Sequence, residues 1–163
     1  MALADKLLGG NSNLIRDTWD RLAPLPGGKR AFSRLVGLMA PYTGSVRAQV
    51  IELRRDYAKV ELHDRWRVRN HLTSVHAIAL ANLAEMTGNL ALAYSLSDDA
   101  RFIVAGMELE YVKKARGTIS AQTEFEMPRG AERREVLVPV VMRDREGDVV
   151  TRATLRTLVG PKK

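Results

Sequence analysis

Between residues 11 and 39 apolar positions recur at helical spacing. Leu14, Ile15, Trp19 and Leu22 approximate one face; Pro24, Pro26, Gly27 and Gly28 interrupt it; Phe32, Leu35, Val36 and Met39 resume it. That pattern predicts two short amphipathic helices. Past Pro41 and Gly44 the period drops to two: Val46, Ala48 and Val50, then Ala58, Val60 and Leu62, alternate with polar residues. Two strands follow, joined by a turn around Arg54, Arg55 and Asp56. Residues 65–74 are polar and irregular. From His76 the chain is apolar on most faces for about twenty residues, which is too long for a strand and predicts a helix enclosed by sheet. The two-residue period returns beyond Ser97. It is cleanest where Ile119, Ala121, Thr123, Phe125 and Met127 alternate with Thr118, Ser120, Gln122, Glu124 and Glu126. Residues 136–142 read as a strand that Pro139 restricts to an edge or bulge, and Glu146-Gly147-Asp148 turns the chain into a last strand over 149–159. The predicted order is helix, helix, two strands, a long helix and four strands. This is an α+β layout in which an antiparallel sheet wraps a central helix.

With 163 residues and 45% hydrophobic content, one compact domain is expected. The break over 41–44 divides an N-terminal helical extension (1–42) from the sheet domain (43–163). The longest apolar run, 77–96, is broken by Asn82, Glu85, Thr87 and Asn89, so no transmembrane segment is expected. Asp5 and Lys6 precede a short Leu-Leu-Gly-Gly without an apolar signal region, which predicts a cytoplasmic location. The chain has no cysteine, which removes disulfides, thiolate ligands and thiol nucleophiles. His63, His71 and His76 lack ligand spacing, so neither a metal site nor a cofactor is expected. Lys and Arg outnumber Asp and Glu by 26 to 19, a formal charge of +7 that favours anionic partners. Arg65, Arg67 and Arg69 alternate beside Trp66, but no nucleic-acid motif accompanies them, which argues against nucleic acid as the partner.

The stretch Asn70-His71-Leu72-Thr73-Ser74-Val75-His76-Ala77-Ile78-Ala79-Leu80-Ala81-Asn82-Leu83-Ala84-Glu85 resembles the signature of hot-dog thioesterases of the phenylacetate-pathway type. Their pattern is an asparagine, then His-Gly-Gly, an apolar helix and an acid. Here the asparagine lies six positions before His76 and the acid nine after it, as in that family. Tyr111-Val112-Lys113-Lys114-Ala115-Arg116-Gly117 looks like the end of the family's next strand. Because the central helix begins His-Ala, the resemblance is closest to the divergent, DUF4442-like branch, and it extends over roughly residues 43–160. It implies the hot-dog fold, hydrolysis of an acyl-CoA thioester and assembly as a homodimer or homotetramer. It further implies Glu85 as base or nucleophile, Asn70 holding the water or acid, His76 at the catalytic site in a direct chemical or a positioning role, and backbone N–H groups near Ala77 polarising the carbonyl. Lys113, Lys114 and Arg116 would meet the CoA phosphates. The chain departs from the family in having Ala77 and Ile78 for the two glycines, Glu85 for the commoner aspartate and Val104 for an assisting hydroxyl residue. These departures keep open the alternative of a non-catalytic module that binds an acyl-CoA or lipid-like ligand.

The chemistry asks for the same groups without the family. A thioester needs an oxyanion stabiliser, which the unpaired N–H groups and dipole of a helix start supply, and a base, for which Glu85 is the only acid on this helix. Nine residues at about 100° each put His76 and Glu85 on opposite faces, roughly 13 Å apart along the axis, too far to serve one site in one protomer. The resemblance implies the resolution: two central helices lie side by side and each site draws on both chains. Asn82 and Asn89 share the face of Glu85 and form a polar stripe that suits either a hydrated site seam or a dimer contact. Structural roles compete throughout: Glu85 paired with a buried cation, the His76 imidazole bonded to a backbone carbonyl, Asn70 closing a turn, and the basic residues after Tyr111 forming a solvated turn.

Overall fold

The computed structural model describes residues 13–162. The expectations drawn from Asp5 and Lys6, and from residues 11 and 12 as the first turn of a helix, lie outside the described residues. The helical N-terminal part forms α1 (Leu14–Leu22), α2 (Gly28–Met39) and a short α3 (Pro41–Ser45), which crosses the expected boundary at 42/43. Then come β1 (Gln49–Arg54), β2 (Tyr57–Leu62), a 3-10 turn (Trp66–Val68), the central α4 (Ala77–Ser95), β3 (Ala100–Tyr111), β4 (Ile119–Glu124), β5 (Arg134–Arg143) and β6 (Val149–Pro161). All pairings are antiparallel, and the six strands run in the order β1-β2-β4-β5-β6-β3. One face of the sheet packs on α4 and the other faces solvent, as the two-residue alternation requires: Val136, Val138, Val140 and Met142 of β5 are buried while Leu137 and Pro139 between them are exposed. This is the hot-dog fold expected from the sequence.

Gly88 permits the closest approach of helix and sheet, since a Cβ there would sit 2.7 Å from Leu155 Cδ2. The helical extension joins the same core through Trp19 and Phe32, whose rings meet edge to face at 5.1 Å. It also covers the β1 edge, an exposed row of backbone groups in an unprotected sheet. There the Val50 N–H donates to Ser33 Oγ (2.9 Å) and Lys29 Nζ donates to the Ile51 carbonyl (2.7 Å).

Three expectations are corrected. The first strand starts at Gln49, because Val46 still has helical geometry and Arg47 turns the chain at φ +47. The β4 ladder stops at Glu124 although the alternation of burial runs on through Phe125 and Met127, whose N–H groups donate to the Asp56 carbonyl and carboxylate instead of a neighbouring strand. Pro139 lies in an interior strand, between β4 and β6. It is tolerated because the β4–β5 ladder covers only Ser120–Gln122 opposite Val141–Arg143, so the missing N–H falls past its end, and there Thr123 Oγ1 donates to the Pro139 carbonyl (2.5 Å).

Candidate active site

The start of α4 is held in place by its own loop. His76 N–H donates to the Val68 carbonyl (2.8 Å), Val75 N–H to the Ala115 carbonyl (2.8 Å), and Arg69 and Val75 form an isolated bridge. Asn70 closes this loop: its Oδ1 accepts from Leu72 N–H (2.9 Å), Ser74 N–H (3.3 Å) and Ser74 Oγ (3.1 Å). Its acceptor oxygen therefore serves the turn. His76 is the helix N-cap, and Nδ1 accepts from Ile78 N–H (3.1 Å) instead of the ring bonding a carbonyl, a correction to the structural role expected of it. That bond occupies one orphan donor of the first turn and leaves the Ala77 and Ala79 N–H groups without a partner among the described residues.

A cleft of about 630 Å³ opens here, lined on one side by His76, Ile78, Ala79 and Asn82 of α4. Tyr42, Ser45 and Val46 form a second side, and Trp66 to Arg69 a third. Asn82 Nδ2 donates to the Tyr42 carbonyl (3.0 Å), which ties α3 to the helix and turns Oδ1 the other way, without a partner. Tyr111 Oη donates to the Ala77 carbonyl (3.2 Å), so the end of β3 adjoins the helix start. Burial holds this phenol above its ordinary pKa. Tyr42, Ser45 and Tyr111 were not singled out from sequence as lining or bracing residues. An aromatic following Pro41 at the end of the helical extension was the one local signal for Tyr42.

Glu85 is half-buried and has no hydrogen bond or ion pair among the described residues. The structural role of pairing with a buried cation is therefore absent among those residues. Glu85 shares a face with Asn82 and Asn89, and both of these amides carry a buried Oδ1 with no partner. Because α4 runs unbroken from Ala77 to Ser95, His76 and Glu85 stay on opposite sides of it, and one chain does not bring them together. The basic turn is exposed, and of its three cations Lys113 alone is in an ion pair among the described residues. Lys113 Nζ donates to Asp144 (2.8 Å) and Asp148 (2.6 Å), and these bonds raise its pKa and lower that of Asp144. Lys114 and Arg116 are exposed on either side of Ala115, whose carbonyl holds Val75, one residue before the helix cap. The turn thus lies beside the helix start. Among the described residues no cluster of three metal-ligating side chains occurs, and no helix is long and apolar enough to cross a membrane.

A family model described as Domain of unknown function (DUF4442) matches residues 28–159 of this chain. The chain belongs to the DUF4442 family. It has the hot-dog fold. The DUF4442 chain is similar to the structural-genomics protein APC5556, with 32% identity, 91% of this chain and 99% of that one covered, and a TM-score of 0.80. It also shares its fold with PA5026 from Pseudomonas aeruginosa, a protein of unknown function carrying the description "Probable Thioesterase" (20% identity, 85% and 97% coverage, TM-score 0.72). A third likeness is to thioesterase HI1161 from Haemophilus influenzae (16% identity, 78% and 88% coverage, TM-score 0.67). No curated protein matches the sequence.

Proposed function

We propose that this DUF4442 protein hydrolyses the thioester of an acyl-CoA at a site completed by a second copy of the chain. The observation that carries the proposal is a strip of α4 that the sheet leaves partly uncovered, Ile78, Ala81, Glu85 and Asn89, on a helix otherwise mostly buried. The Glu85 carboxylate, the Asn89 amide oxygen and that of the adjacent Asn82 have no donor among the described residues. The edge strand β3, with Met107 and Leu109 half-buried on its inner face, ends at the exposed Tyr111, whose Oη meets the Ala77 carbonyl at the start of the helix. In the assembled site the Ala77 N–H, at the positive end of the helix dipole, would stabilise the oxyanion. Glu85 of the other copy would take a proton from water as the water oxygen attacks the carbonyl carbon. The C–S bond then breaks, and the departing thiolate takes the proton that Glu85 removed from the water, which restores the carboxylate. Thioesterase similarity of the fold supports the reaction class.

The non-catalytic ligand-binding reading is favoured by one observation: Ile78, in place of a glycine, is 54% exposed at the cleft and its N–H is taken by the His76 ring. Thiol release from a panel of acyl-CoA substrates separates the two readings. A mixing experiment tests the shared site. Ala77 is the first helical residue, where proline is tolerated, and His76 has the extended backbone (φ −64, ψ 140) that precedes proline. Ala77→Pro should therefore fold while losing the donor. Mixed with Glu85→Gln, it should form heterodimers with one intact site and recover activity that neither parent has. Subunit exchange without recovery would refute the two-chain site, and a folded monomer at micromolar concentration would do the same.

A further inference from the structure

Beside the cleft, the segments around residues 47 and 65–67 gather positive charge that nothing among the described residues neutralises. Arg65 lies within electrostatic reach of Arg47 and Arg67; one terminal nitrogen donates to the Val46 carbonyl, while its buried Nε has no partner among the described residues. Burial, and then the charges of Arg47 and Arg67, hold this guanidinium below its ordinary pKa. None of the three forms an ion pair among the described residues, whereas the neighbouring Arg69 is bonded to Asp64 at 2.6 Å. Three clustered guanidinium groups repel one another, and a buried N–H without an acceptor adds a desolvation cost; a multiply charged anion removes both. Guanidinium forks match phosphate oxygens in pairs.

The aromatic residues of this corner are exposed. Trp66, between two of the arginines in sequence, is 85% exposed and Tyr42 is 70% exposed, and both line the cleft that reaches His76, Ile78 and Ala79. An indole face open to solvent beside cations is a stacking platform for a heteroaromatic ring. We infer that Arg47, Arg65, Arg67 and Trp66 dock the phosphorylated adenine nucleotide of coenzyme A, with the cleft carrying the pantetheine arm towards the start of α4. The inference rests on the acyl-CoA reading above and deepens it, since it selects the free nucleotide carrier over a carrier protein, whose prosthetic arm has phosphate but no base. It also supplements the turn after Tyr111, where Lys113 is already held by Asp144 and Asp148. A concave corner with one exposed indole suits a single nucleotide better than an extended strand, which is followed by a longer basic groove with repeated stacking residues.

Calorimetric titration of the full chain with free coenzyme A, dephospho-coenzyme A and pantetheine tests the site without any turnover. Coenzyme A should bind at least about tenfold tighter than pantetheine, because each charged hydrogen bond is worth roughly a factor of ten or more, and dephospho-coenzyme A should fall between them. Arg47→Ala and Arg67→Ala remove exposed side chains that have no partner among the described residues, so both should fold, and each should weaken coenzyme A by several-fold or more while leaving pantetheine unchanged. Arg65→Gln and Trp66→Ala should do the same, and Arg101→Ala, on the far edge strand β3, should not. Equal affinity for coenzyme A and pantetheine, no affinity for coenzyme A, or unchanged coenzyme A binding in the Arg47 and Arg67 variants overturns the inference. So does tight, steeply salt-dependent binding of a single-stranded RNA 12-mer that these variants abolish while coenzyme A binding is undisturbed. If coenzyme A binds as described and no thioester is cleaved, the hydrolase reading fails and the nucleotide site stands.

Discussion

Replacing Glu85 with glutamine separates chemistry from stability at one position. The substitution keeps the length and shape of the side chain and removes its charge and basicity. If Glu85 is the general base, kcat on the best acyl-CoA should fall by about 10² or more, which corresponds to roughly 2.7 kcal/mol of lost transition-state stabilisation. Substrate affinity should hold, since the carboxylate does not line the cleft. The structure also sets the stability side. A carboxylate that balanced a buried cation would leave that cation unpaired when neutralised, at about 3–5 kcal/mol, or on the order of 6–20 °C in Tm for a chain of this size. Glu85 has no such partner among the described residues and is only half-buried, so the change should stay within about 0.5 kcal/mol, a degree or two. The neighbouring Asn82 and Asn89 oxygens have no donor among the described residues, and the new amide brings one. Steady-state thiol release and a melting curve on the same preparation are the assay. A kcat within threefold of the parent would remove Glu85 from the chemistry, and a Tm drop of several degrees would show that the carboxylate pairs with a group outside the described protomer.

Asn70→Ala removes the acceptor that three donors share and should cost about 1–2 kcal/mol, whereas Asn70→Asp keeps the acceptor and should melt like the parent; loss of activity in the aspartate variant alone would show that the amide N–H₂ acts on substrate. Asp144 is held below its ordinary carboxylate range, chiefly by the Lys113 hydrogen bond, so its contribution is present above the unfolded value of 3.8 and lost as pH falls through its lower folded value. Melting between pH 5 and pH 2 should therefore fall more steeply in the parent than in Asp144→Asn, and parallel curves would contradict the assignment. Gly44→Ala would put a Cβ 2.6 Å from the Gly37 carbonyl oxygen, a backbone atom, and should cost about 1–3 kcal/mol while shifting α3 and the cleft wall that carries Tyr42 and Ser45; an unchanged Tm would show that the two helices part freely.

The sequence by itself determined the order and type of the elements. Burial imposes its own period on each of them: two along β4, where Ile119, Ala121 and Thr123 point inward, and nearly all-round apolarity on α4, which the sheet and the helical extension surround. The opposed faces of His76 and Glu85 were legible for the same reason, since helix geometry converts a spacing of nine into an angle. Local periodicity was less informative where the pattern is irregular. β3 loses its alternation at the bulge between Val104 and Gly106, and Pro139 is acceptable inside the sheet only because β4 ends beside it. Which hydrogen-bond donors remain free was a matter for the tertiary structure alone. That the His76 ring caps Ile78, that Asn70 closes its own loop and that Lys113 is held by two aspartates depend on directions that residue spacing does not encode. The cleft is the clearest case. Tyr42, Trp66 and Asn82 come from three segments as far apart as forty positions, and only packing of α3 against α4 brings their side chains to one opening.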